Sequence, residues 1–378
     1  MKVNIVGAGP AGLYLAYLLR RLDDNHEVTV YEQNPASVTW GFGVVFSDRA
    51  LEFLRGDDPD TCEFLSAHLE RWDDITVVHG TSAMAVDGNG FGAIGRLDML
   101  ELLAGRARAA GADIRYGGRI DDVDALADAD LLVGADGVNS AVRRAGEEVF
   151  GYRVEYRPNR FIWYGTTQPF DTLTLTFRPT QHGVFCAHHY RYRPEMSTFL
   201  VEVTEDTRHR AGFERMDEAA TIAHCERVFA EDLDGHPIVS NRSYWRRFPV
   251  VTNERWSSGN RVLIGDAVRT VHFSIGSGTR LAMEDALALA RSIGEHRADV
   301  PAALAAWEAT RRPTTDKLCR AAHASLRWYE DMDRNIALAP MDFAHSYMTR
   351  TGRVGDEELA RIAPRFMAAW RARAAGRP

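Results

Sequence analysis

Apolar and polar positions at the start of the chain follow the order of a strand, a turn, a helix and a second strand. Residues 2–22, KVNIVGAGPAGLYLAYLLRRL, begin with an apolar strand, pass through glycines and continue with apolar side chains at helical spacing. Residues 27–33, EVTVYEQ, are the next predicted strand and include Glu32. This strand–turn–helix–strand unit predicts the opening of an α/β, doubly wound, Rossmann-like domain.

Further stretches extend this pattern and then interrupt it. A helix at about residues 97–110 and strands at 112–116 and 131–134 continue the α/β domain. Between residue 152 and about 255 aromatic and β-branched residues partly alternate, which predicts an inserted antiparallel β-sheet. RVLIGDA at 261–267 returns to a buried strand, and a helix at about 279–293 and C-terminal helices follow.

Composition and charge narrow the class of protein. The 378 residues carry a formal net charge of −8 at pH 7, whereas a protein whose main partner is nucleic acid needs a concentrated basic face. The four cysteines show no spacing typical of a metal site or a redox dithiol. No apolar run approaches the length of a membrane span. We therefore expect a cytoplasmic enzyme without nucleic-acid, membrane or metal partners, and its oligomeric state stays open.

A glycine motif lies at the turn between the first strand and the first helix. Gly7, Gly9 and Gly12 form G-x-G-x-x-G, and Glu32 follows about 20 residues later. Glycines there allow a tight turn and let the backbone approach a pyrophosphate at the helix N-terminus. Glu32 would accept hydrogen bonds from a ribose. The motif predicts a bound dinucleotide but does not separate FAD from NAD(P).

Two further turns distinguish these cofactors. DLLVGADGVNSAVR at 130–143 places Asp136-Gly137 after one predicted strand, and RVLIGDA places Gly265-Asp266 after another. Together with the N-terminal glycines, these turns resemble the class A flavoprotein aromatic hydroxylases over about residues 1–330. The resemblance implies FAD as cofactor, with NADH or NADPH and O2 as co-substrates. The predicted segments are 1–150 and 258–330 for the FAD-binding domain, 151–257 for the β-sheet substrate domain and 331–378 for the C-terminal helices.

The resemblance also implies which residues contact the cofactor. Asp136 would lie near the FAD pyrophosphate, and Asp266 would hydrogen-bond the ribityl chain. Gly276 and Gly278 would present helix N-terminal N–H groups to the flavin ring. The predicted cofactor-binding residues are Gly7, Gly9, Gly12, Glu32, Gly43, Val45, Arg96, Asp136, Gly137, Gly265, Asp266, Gly276 and Gly278.

Departures from the usual family pattern indicate a subgroup. In GDAVRTVHFSIGSG at 265–278, Arg269 stands where most of these hydroxylases have histidine, and Phe273 stands where they have proline. This run, with WGFGVVFSD at 40–48, RFIWYGTTQPFD at 160–171 and STFLVE at 197–202, resembles the salicylyl-CoA 5-hydroxylase and aminobenzoyl-CoA monooxygenase group. It resembles more distantly the tryptophan-derivative hydroxylase of violacein synthesis.

The resemblance implies a single-component, NAD(P)H-dependent flavin monooxygenase. We expect it to hydroxylate an aromatic acyl-CoA, converting salicylyl-CoA to gentisyl-CoA by a flavin C4a-hydroperoxide. A single glycine fingerprint predicts that the nicotinamide docks without its own Rossmann domain. Two alternatives stay open: hydroxylation of a free aromatic or indole in pigment or natural-product synthesis, and a flavin-binding protein without hydroxylase activity.

Candidate catalytic and substrate-binding residues lie in two regions. His272 and Ser274 flank Phe273 before a predicted helix, where they can bind the ring hydroxyl or the thioester carbonyl or assist deprotonation. The alternative is that His272 caps the turn and Phe273 only packs. In FCAHHYRY at 185–192, His188 and Tyr190 share one strand face and His189 points away. Tyr164 is a similar candidate on a neighbouring strand.

A CoA thioester needs several cationic groups close together for its phosphates. The densest basic stretches of the middle segment hold Arg153, Arg157 and Arg160, and then Arg191 and Arg193. From this set, Arg157 and Arg160 are the predicted substrate-binding residues.

Overall fold

A computed structural model describes residues 1–297 and 299–375, without the side chains at 49, 374 and 375. The chain divides into two compact units. The first comprises Met1–Thr39, Arg96–Tyr156 and Pro249–Arg320, and the second comprises Trp40–Gly95, Arg157–Phe248 and the chain from Ala321 onward.

Strands occur in both units. In the described residues they are, in chain order, β1 Lys2–Val6, β2 Glu27–Glu32, β3 Gly43–Ser47, β4 Glu70–Trp72, β5 Ile75–His79, β6 Ser82–Val86, β7 Phe91–Gly95, β8 Asp113–Tyr116, β9 Leu131–Gly134, β10 Tyr152–Thr166, β11 Leu173–Thr180, β12 Gly183–Arg193, β13 Met196–Val203, β14 Ile238–Val239, β15 Arg246–Asn253, β16 Ser257–Ser258 and β17 Arg261–Leu263.

Helices follow the same numbering. In the described residues they are α1 Pro10–Leu22, α2 Asp48–Asp57, α3 Pro59–Ser66, α4 Arg96–Ala109, α5 Ala141–Ala145, α6 Glu147–Phe150, α7 Glu205–Ala211, α8 Glu218–Val228, α9 Ala230–Leu233, α10 Gly278–His296, α11 Val300–Glu330, α12 Met332–Asn335, α13 Pro340–Thr349, α14 Asp356–Ile362 and α15 Pro364–Ala375, with 3-10 turns at Asp124–Leu126, Phe213–Arg215, Gly265–Ala267 and Phe273–Ile275. None of these helices combines the length and the apolar character that a membrane crossing requires.

The first unit is built on a six-stranded sheet with strand order β16-β17-β9-β1-β2-β8. The strands from β17 to β8 are parallel, and the short β16 runs antiparallel to β17. Val3 and Ile5 in the central β1 are fully buried, as expected of a parallel strand covered on both faces. On the sheet, α1 packs against α4 and α10. The predicted doubly wound, Rossmann-like α/β domain is confirmed.

The elements predicted for this unit are observed with small shifts at their ends. The helix expected at 97–110 is Arg96–Ala109, and the strand expected at 112–116 is Asp113–Tyr116. The strand at Leu131–Gly134 has its predicted bounds. The helix expected at 279–293 is Gly278–His296.

The second unit contains a sheet in which seven strands follow the order β14-β10-β13-β12-β11-β5-β6, and a three-stranded sheet of order β3-β7-β4. The strands β10 to β13 form the predicted antiparallel part. β5 runs parallel to β11, with Leu173 opposite Ile75. The predicted inserted sheet is confirmed, and it is larger than the inserted segment alone.

The bounds of the two units differ from the predicted segments at several places. Residues 40–95, which were assigned to the first FAD-binding segment, lie in the second unit because β5 and β6 extend its sheet beyond β11. The chain from Ala321 onward also lies in that unit. The last three residues of the predicted segment 331–378 lie outside the described residues.

The two faces of the large sheet are covered by different parts of the chain. On one face, Phe185 packs with Phe213 and Phe229 of the segment that contains α7 to α9. On the other face, Cys186 packs with Phe343 of α13. Because side chains alternate along β12, its even-numbered and odd-numbered residues belong to different clusters.

The spacing G-x-G-x-x-G occurs a second time in the sequence, at Gly90, Gly92 and Gly95, which the expectation of a single fingerprint overlooked. Gly92 and Gly95 lie within β7 and pair with β3. These glycines are part of a strand and do not form the strand-to-helix turn that binds a pyrophosphate.

Candidate functional site

The first glycine turn is shaped in part by the protein's own packing. Gly7 has a φ of +106° and its N–H donates to the carbonyl of Tyr31 at 2.7 Å. A Cβ on Gly7 would lie 2.4 Å from the carbonyl oxygen of Ala135, and a Cβ on Gly12 would lie 2.0 Å from that of Gly7. Glycine is therefore required at both positions for the fold itself.

Gly9 differs, because the protein leaves room beside it. It has an ordinary φ of −76° at the N-cap of α1, and the nearest atom to an added Cβ is the Ala135 carbonyl oxygen at 3.9 Å. No side chain caps the helix and no acidic residue lies in its first turn. The N–H groups of that turn can therefore receive an anion. The turn fits the pyrophosphate of a dinucleotide, which would approach the backbone at Gly9.

The Glu32 carboxylate accepts hydrogen bonds from both the glycine turn and the loop that follows β2. One of its carboxylate oxygens accepts the N–H of Ala8 at 3.0 Å, and the other accepts the backbone and side-chain N–H groups of Asn34 at 2.8 and 2.7 Å. The carboxylate thus orders the glycine turn. Carboxylate oxygens have further lone pairs, so a ribose hydroxyl can still donate to Glu32.

The Asp136-Gly137 turn contains an unsatisfied acceptor. Oδ2 of Asp136 accepts the N–H groups of Ala141 and Val142 at 2.5 and 3.4 Å. Its Oδ1 is buried and receives no hydrogen bond from the described residues, and burial raises the pKa of this carboxyl. A Cβ on Gly137 would contact nothing within 4 Å. The turn therefore offers both a hydrogen-bond acceptor and space to a ligand.

The Gly265-Asp266 turn is held in place by a buried cluster of charged groups. Oδ2 of Asp285, on α10, accepts the N–H of Gly265 at 3.1 Å and pairs with Arg269 at 2.7 Å. Oδ1 of Asp285 accepts Nε and Nη2 of Arg311 at 3.2 and 3.1 Å. Asp285 is fully buried, so these four donors supply the pairing that a buried charge needs. We call this the Asp285 cluster: Gly265, Arg269, Asp285 and Arg311.

Other side chains fix the carbonyl groups of the same turn. Arg269 donates to the carbonyl of Gly265 at 3.0 Å. Arg143 donates to the carbonyl of Ala267 at 2.9 Å, and Asn253 donates to the same carbonyl at 3.3 Å. The carbonyl groups of Gly265 and Ala267 thus point into the protein, where side chains donate to them.

The side chain of Asp266 lies on the other side of this turn, where it is exposed. No described residue donates a hydrogen bond to it, so the carboxylate can accept a ligand hydroxyl. Protein atoms around it remove part of its hydration and raise its pKa, while Arg269 and Arg96 oppose that effect. Arg96 begins α4 and its Nε donates to the hydroxyl of Thr39 at 3.2 Å.

These contacts explain why an arginine occupies the place of the usual histidine. Arg269 is buried, and its guanidinium joins the Gly265 carbonyl to the Asp285 carboxylate. A neutral histidine has one N–H donor, which is too few to serve both the carbonyl and the carboxylate. The substitution is therefore part of the turn's support.

The run after the turn brings the two predicted catalytic side chains together. Nδ1 of His272 lies 2.8 Å from the hydroxyl of Ser274, and both side chains are buried. The N–H of Ser274 also approaches Nδ1 at 3.4 Å, which makes His272 the N-cap of the 3-10 turn Phe273–Ile275. His272 therefore caps the 3-10 turn and also lies within hydrogen-bonding distance of the Ser274 hydroxyl. The chain then passes through Gly276, with a φ of +58°, to Gly278 at the start of α10.

In the second unit, β3 contains the predicted residues Gly43 and Val45. The N–H of Gly43 donates to Thr198 at 2.9 Å, and its carbonyl accepts the hydroxyl of Tyr190 at 2.9 Å. A Cβ on Gly43 would lie 2.7 Å from Tyr192. Val45 packs beside Tyr190 and Tyr192. Tyr190 thus holds the backbone of β3.

His188 and His189 lie on opposite faces of β12, as the alternation predicts. His188 stacks on Tyr329 with ring centroids 5.0 Å apart, and its Nε2 lies 3.4 Å from buried Glu202. His189 is enclosed by Phe170 and Phe199, and burial lowers its pKa to about 3. His189 is therefore neutral near pH 7.

Tyr164 does not share a face with the other predicted substrate residues. It is fully buried in the cluster of Phe185 and Phe199, and burial raises its pKa. The structure thus separates Tyr164 from His188 and Tyr190, which lie on the other face.

The predicted arginines are engaged by carboxylates. Arg157 forms a two-pronged pair with Glu330 at 2.9 and 2.7 Å. Arg160 pairs with Glu205, and this contact lowers the pKa of the glutamate. These ion pairs weigh against a role for either guanidinium in binding substrate phosphates.

Several residues of the site were missed in the sequence analysis. Asp285 and Arg311 support one turn, and Asn253 and Arg143 hold its carbonyl groups. One signal was present: Glu284 and Asp285 interrupt an otherwise apolar helical stretch, LAMEDALALA at 281–290. Adjacent acids within an apolar helix face indicate buried partners.

Comparisons with known proteins agree with this geometry. The model of the FAD binding domain family matches residues 98–322, and that of the NAD(P)-binding Rossmann-like domain matches residues 5–40. The solved structure of PqsL from Pseudomonas aeruginosa has a TM-score of 0.69 at 22% identity, over 92% of this chain and 100% of that one. This likeness shows the shared fold.

Curated relatives are closer in sequence. A salicyloyl-CoA 5-hydroxylase from a Streptomyces species is 43% identical over 93% of this chain and 70% of that protein. A 3-hydroxy-4-methyl-anthranilyl-(aryl-carrier protein) 5-monooxygenase from Streptosporangium sibiricum is 34% identical over 95% and 97%. Protodeoxyviolaceinate monooxygenase from Chromobacterium violaceum is 32% identical over 93% and 94%.

The fold, the three turns and these matches define an FAD-dependent monooxygenase of aromatic substrates. More narrowly, the chain belongs to the class A flavoprotein aromatic hydroxylases, and within them it is similar to the group that includes salicyloyl-CoA 5-hydroxylase.

The space at Gly9 makes a test of cofactor binding possible. We expect Gly9→Ala to lower the stability of the apoprotein by about 1 kcal/mol or less, because the protein leaves room for the methyl group. FAD affinity should fall roughly 10-fold or more, since the Cβ enters the space that the pyrophosphate needs. Flavin fluorescence titration and thermal unfolding of the apoprotein measure the two effects.

Gly12→Ala is the matched control. Its Cβ would overlap the carbonyl oxygen of Gly7, so this variant should lose stability before any cofactor is added. Parental FAD affinity in Gly9→Ala would contradict the assignment of Gly9 to the pyrophosphate.

Proposed function

We propose that this chain hydroxylates the ring of an aryl-CoA thioester, converting salicylyl-CoA to gentisyl-CoA with NAD(P)H and O2. The observation that carries the proposal is the 43% identity to a salicyloyl-CoA 5-hydroxylase over 93% of the chain. A second relative is named for position 5 of a ring attached to a carrier protein. Both names describe a carboxylated aromatic held as an acyl group and oxygenated at the same ring position.

The residues of the first unit support a specific arrangement of the cofactor. When bound, FAD would take a hydride from NAD(P)H and activate O2 for ring hydroxylation. The turn at Gly9 would hold the pyrophosphate by its N–H groups, and Glu32 would accept a ribose hydroxyl. Asp266 would accept hydroxyl groups of the ribityl chain, since its carboxylate is exposed and its backbone is fixed by the Asp285 cluster.

NAD(P)H is proposed as a transient reductant. The NAD(P)-binding match covers residues 5–40, the same turn that serves FAD. The second glycine spacing in the sequence lies in a strand, so it does not supply a separate nicotinamide site. Transient binding of the reductant is consistent with described residues that form one dinucleotide-binding glycine turn.

We assign His272 and Ser274 to the ring hydroxyl of the substrate. With Nδ1 of His272 turned to the N–H and hydroxyl of Ser274, the imidazole proton lies on Nε2 when the ring is neutral. Nε2–H can then donate to a phenolate oxygen. A phenolate makes the ring carbon para to it more electron-rich, which favours transfer of an electrophilic oxygen to that carbon.

The other predicted substrate-binding residues, His188, Tyr190 and Phe273, are proposed to have different roles. Tyr190 acts through β3, because its hydroxyl donates to Gly43. His188 is paired with Glu202, which can hold its imidazole in one orientation. The ring of Phe273 lies against that of His272 in a tilted arrangement, with ring centroids 4.1 Å apart. The proposal leaves Tyr164, Arg157 and Arg160 in structural positions.

The substrate class is tested by following NAD(P)H oxidation with three compounds. We expect salicylyl-CoA to stimulate oxidation by the FAD-loaded protein and to gain one oxygen atom by mass, while free salicylate and tryptophan stimulate little. Stimulation by a free aromatic alone would favour the alternative that the relation to protodeoxyviolaceinate monooxygenase suggests. Oxidation that no aryl compound stimulates would contradict the proposal.

The role of His272 is tested by His272→Ala. We expect hydroxylation to slow roughly 100-fold, the lower range for loss of a hydrogen-bond donor to an oxyanion, with FAD affinity unchanged. His296→Ala is the control, because this histidine ends α10 and its imidazole hydrogen-bonds to the carbonyl of Ser292, within the same helix. Single-turnover rates measure the effect, and parental rates in His272→Ala would remove the residue from the mechanism.

A further inference from the structure

A basic and aromatic surface in the second unit has no role in the site described above. It lies in the run SNRSYWRR at 240–247, before and at the start of β15, together with Trp40. Tyr244 is 59% exposed and Trp40 is 39% exposed, and the three arginines of the run are exposed as well. We call this surface the arginine–tyrosine patch: Trp40, Arg242, Tyr244 and Arg246.

Cations and rings are interleaved in this patch. The guanidinium of Arg242 lies 4.9 Å from the centroid of Trp40, and that of Arg246 lies 3.9 Å from the centroid of Tyr244. Guanidinium groups stack on aromatic faces with their donors still directed outward. The patch therefore presents flat rings and N–H donors side by side.

The arginines of the patch are not neutralised by the protein. Among the described residues, none forms an ion pair with Arg242 or Arg246, whereas the charge of Arg247 helps to lower the pKa of Glu205. By contrast, Arg157 and Arg191 are paired with Glu330 and Glu70. In a chain of net charge −8, neighbouring guanidiniums without carboxylate partners create a local positive potential that attracts an anion.

The backbone under the patch is held in an unusual conformation. Arg242 has a φ of +52°, which is the left-handed region that a residue with a Cβ rarely adopts. Side chains on both sides hold it there: Asn241 donates to the carbonyl of Gly41 at 3.2 Å, and the hydroxyl of Ser243 donates to the carbonyl of Trp163. Residues in such a conformation persist only where the surrounding structure fixes them, and they cluster at ligand-binding and other functional positions.

We propose that the arginine–tyrosine patch binds the 3′-phospho-ADP end of coenzyme A, a proposal that rests on the aryl-CoA function above. That end of the molecule carries a 3′-phosphate, a diphosphate and an adenine ring. Arg242 and Arg246 bind the phosphate oxygens, since guanidinium and phosphate form charge-assisted, two-pronged hydrogen bonds. Tyr244 and Trp40 provide faces on which the adenine stacks, as nucleobases do on aromatic side chains.

The rings favour a nucleotide over a carrier protein as the occupant. An acyl group on a carrier protein is attached through phosphopantetheine and has no adenine, so it would use the arginines and leave the aromatic faces without a partner. Coenzyme A uses both. Arg157 and Arg160, predicted for this task from basic density along the chain, are already paired with carboxylates.

The test is the double variant Arg242→Ser/Arg246→Ser in the FAD-loaded protein. We expect KM for salicylyl-CoA to rise about 10-fold or more for the loss of charge-assisted phosphate contacts, with kcat nearly unchanged because neither arginine is a proposed catalytic group. Free coenzyme A and 3′-dephospho-CoA are titrated in parallel by calorimetry. The parent should prefer coenzyme A, and the double variant should lose most of this preference.

Arg153→Ser is the matched control. Arg153 is an exposed arginine that pairs with exposed Glu254 at 3.3 Å, and exposed pairs of this kind contribute little to stability. Its removal changes the net charge by one unit at another surface. KM and the preference for coenzyme A should stay at the parental values, and thermal unfolding confirms that each variant is folded.

The outcomes separate this proposal from the proposed function. If the parent neither binds coenzyme A nor hydroxylates an aryl-CoA, the proposed substrate is wrong and the patch assignment falls with it. If the parent hydroxylates salicylyl-CoA and the double variant keeps the same KM and phosphate preference, the function stands and the patch assignment is overturned. The same two proteins are also assayed with the salicylyl group on an aryl-carrier protein. If the double variant is slower only with that substrate, the patch is a carrier-docking surface and its assignment to coenzyme A is overturned.

Discussion

A fully buried carboxylate, Asp285, sets the geometry of the turn on which the proposed cofactor site depends. A buried charge is tolerated only when donors surround it, and here the donors are the N–H of Gly265 and the guanidiniums of Arg269 and Arg311. The same contacts fix the turn to α10, whose first residue is Gly278. With the backbone polar groups turned inward, the side chain of Asp266 is left exposed. The need to pair one buried charge therefore positions both Asp266, which is predicted to bind the ribityl chain, and the N-terminus of α10, which is predicted to face the flavin.

The same reasoning separates structural residues from ligand residues elsewhere in the chain. Gly7 and Gly12 are explained by clashes within the protein, whereas Gly9 is not. Arg157 is explained by its pair with Glu330, whereas no described residue pairs with Arg242. A residue whose type the protein's own packing does not explain is a candidate for an external partner. This criterion assigns Gly9 to the cofactor and the arginine–tyrosine patch to the substrate's nucleotide end.

Local patterns in the sequence predicted local structure well. The bounds of β9, the opposite faces of His188 and His189, and the strand–turn–helix opening all follow from periodicity and glycine placement. Contacts between residues that are distant in the sequence could not be predicted from these local patterns. Residues 40–95 lie in the second unit because β5 pairs with β11, almost 100 residues away in the sequence. The pairing of Asp285 with Arg269 and Arg311, or of Arg160 with Glu205, likewise depends on tertiary contacts that residue density along the chain does not reveal.

The most direct test of this account compares Asp285→Asn with Asp113→Asn. Both aspartates pair with arginine in the first unit, but Asp285 is fully buried while Asp113 and Arg115 are exposed. The measurement is the free energy of unfolding of the apoprotein together with its affinity for FAD. The account predicts that Asp285→Asn loses about 3–5 kcal/mol of stability and binds FAD weakly, while Asp113→Asn changes by about 1 kcal/mol or less and binds normally. Parental stability and FAD affinity in Asp285→Asn would contradict it.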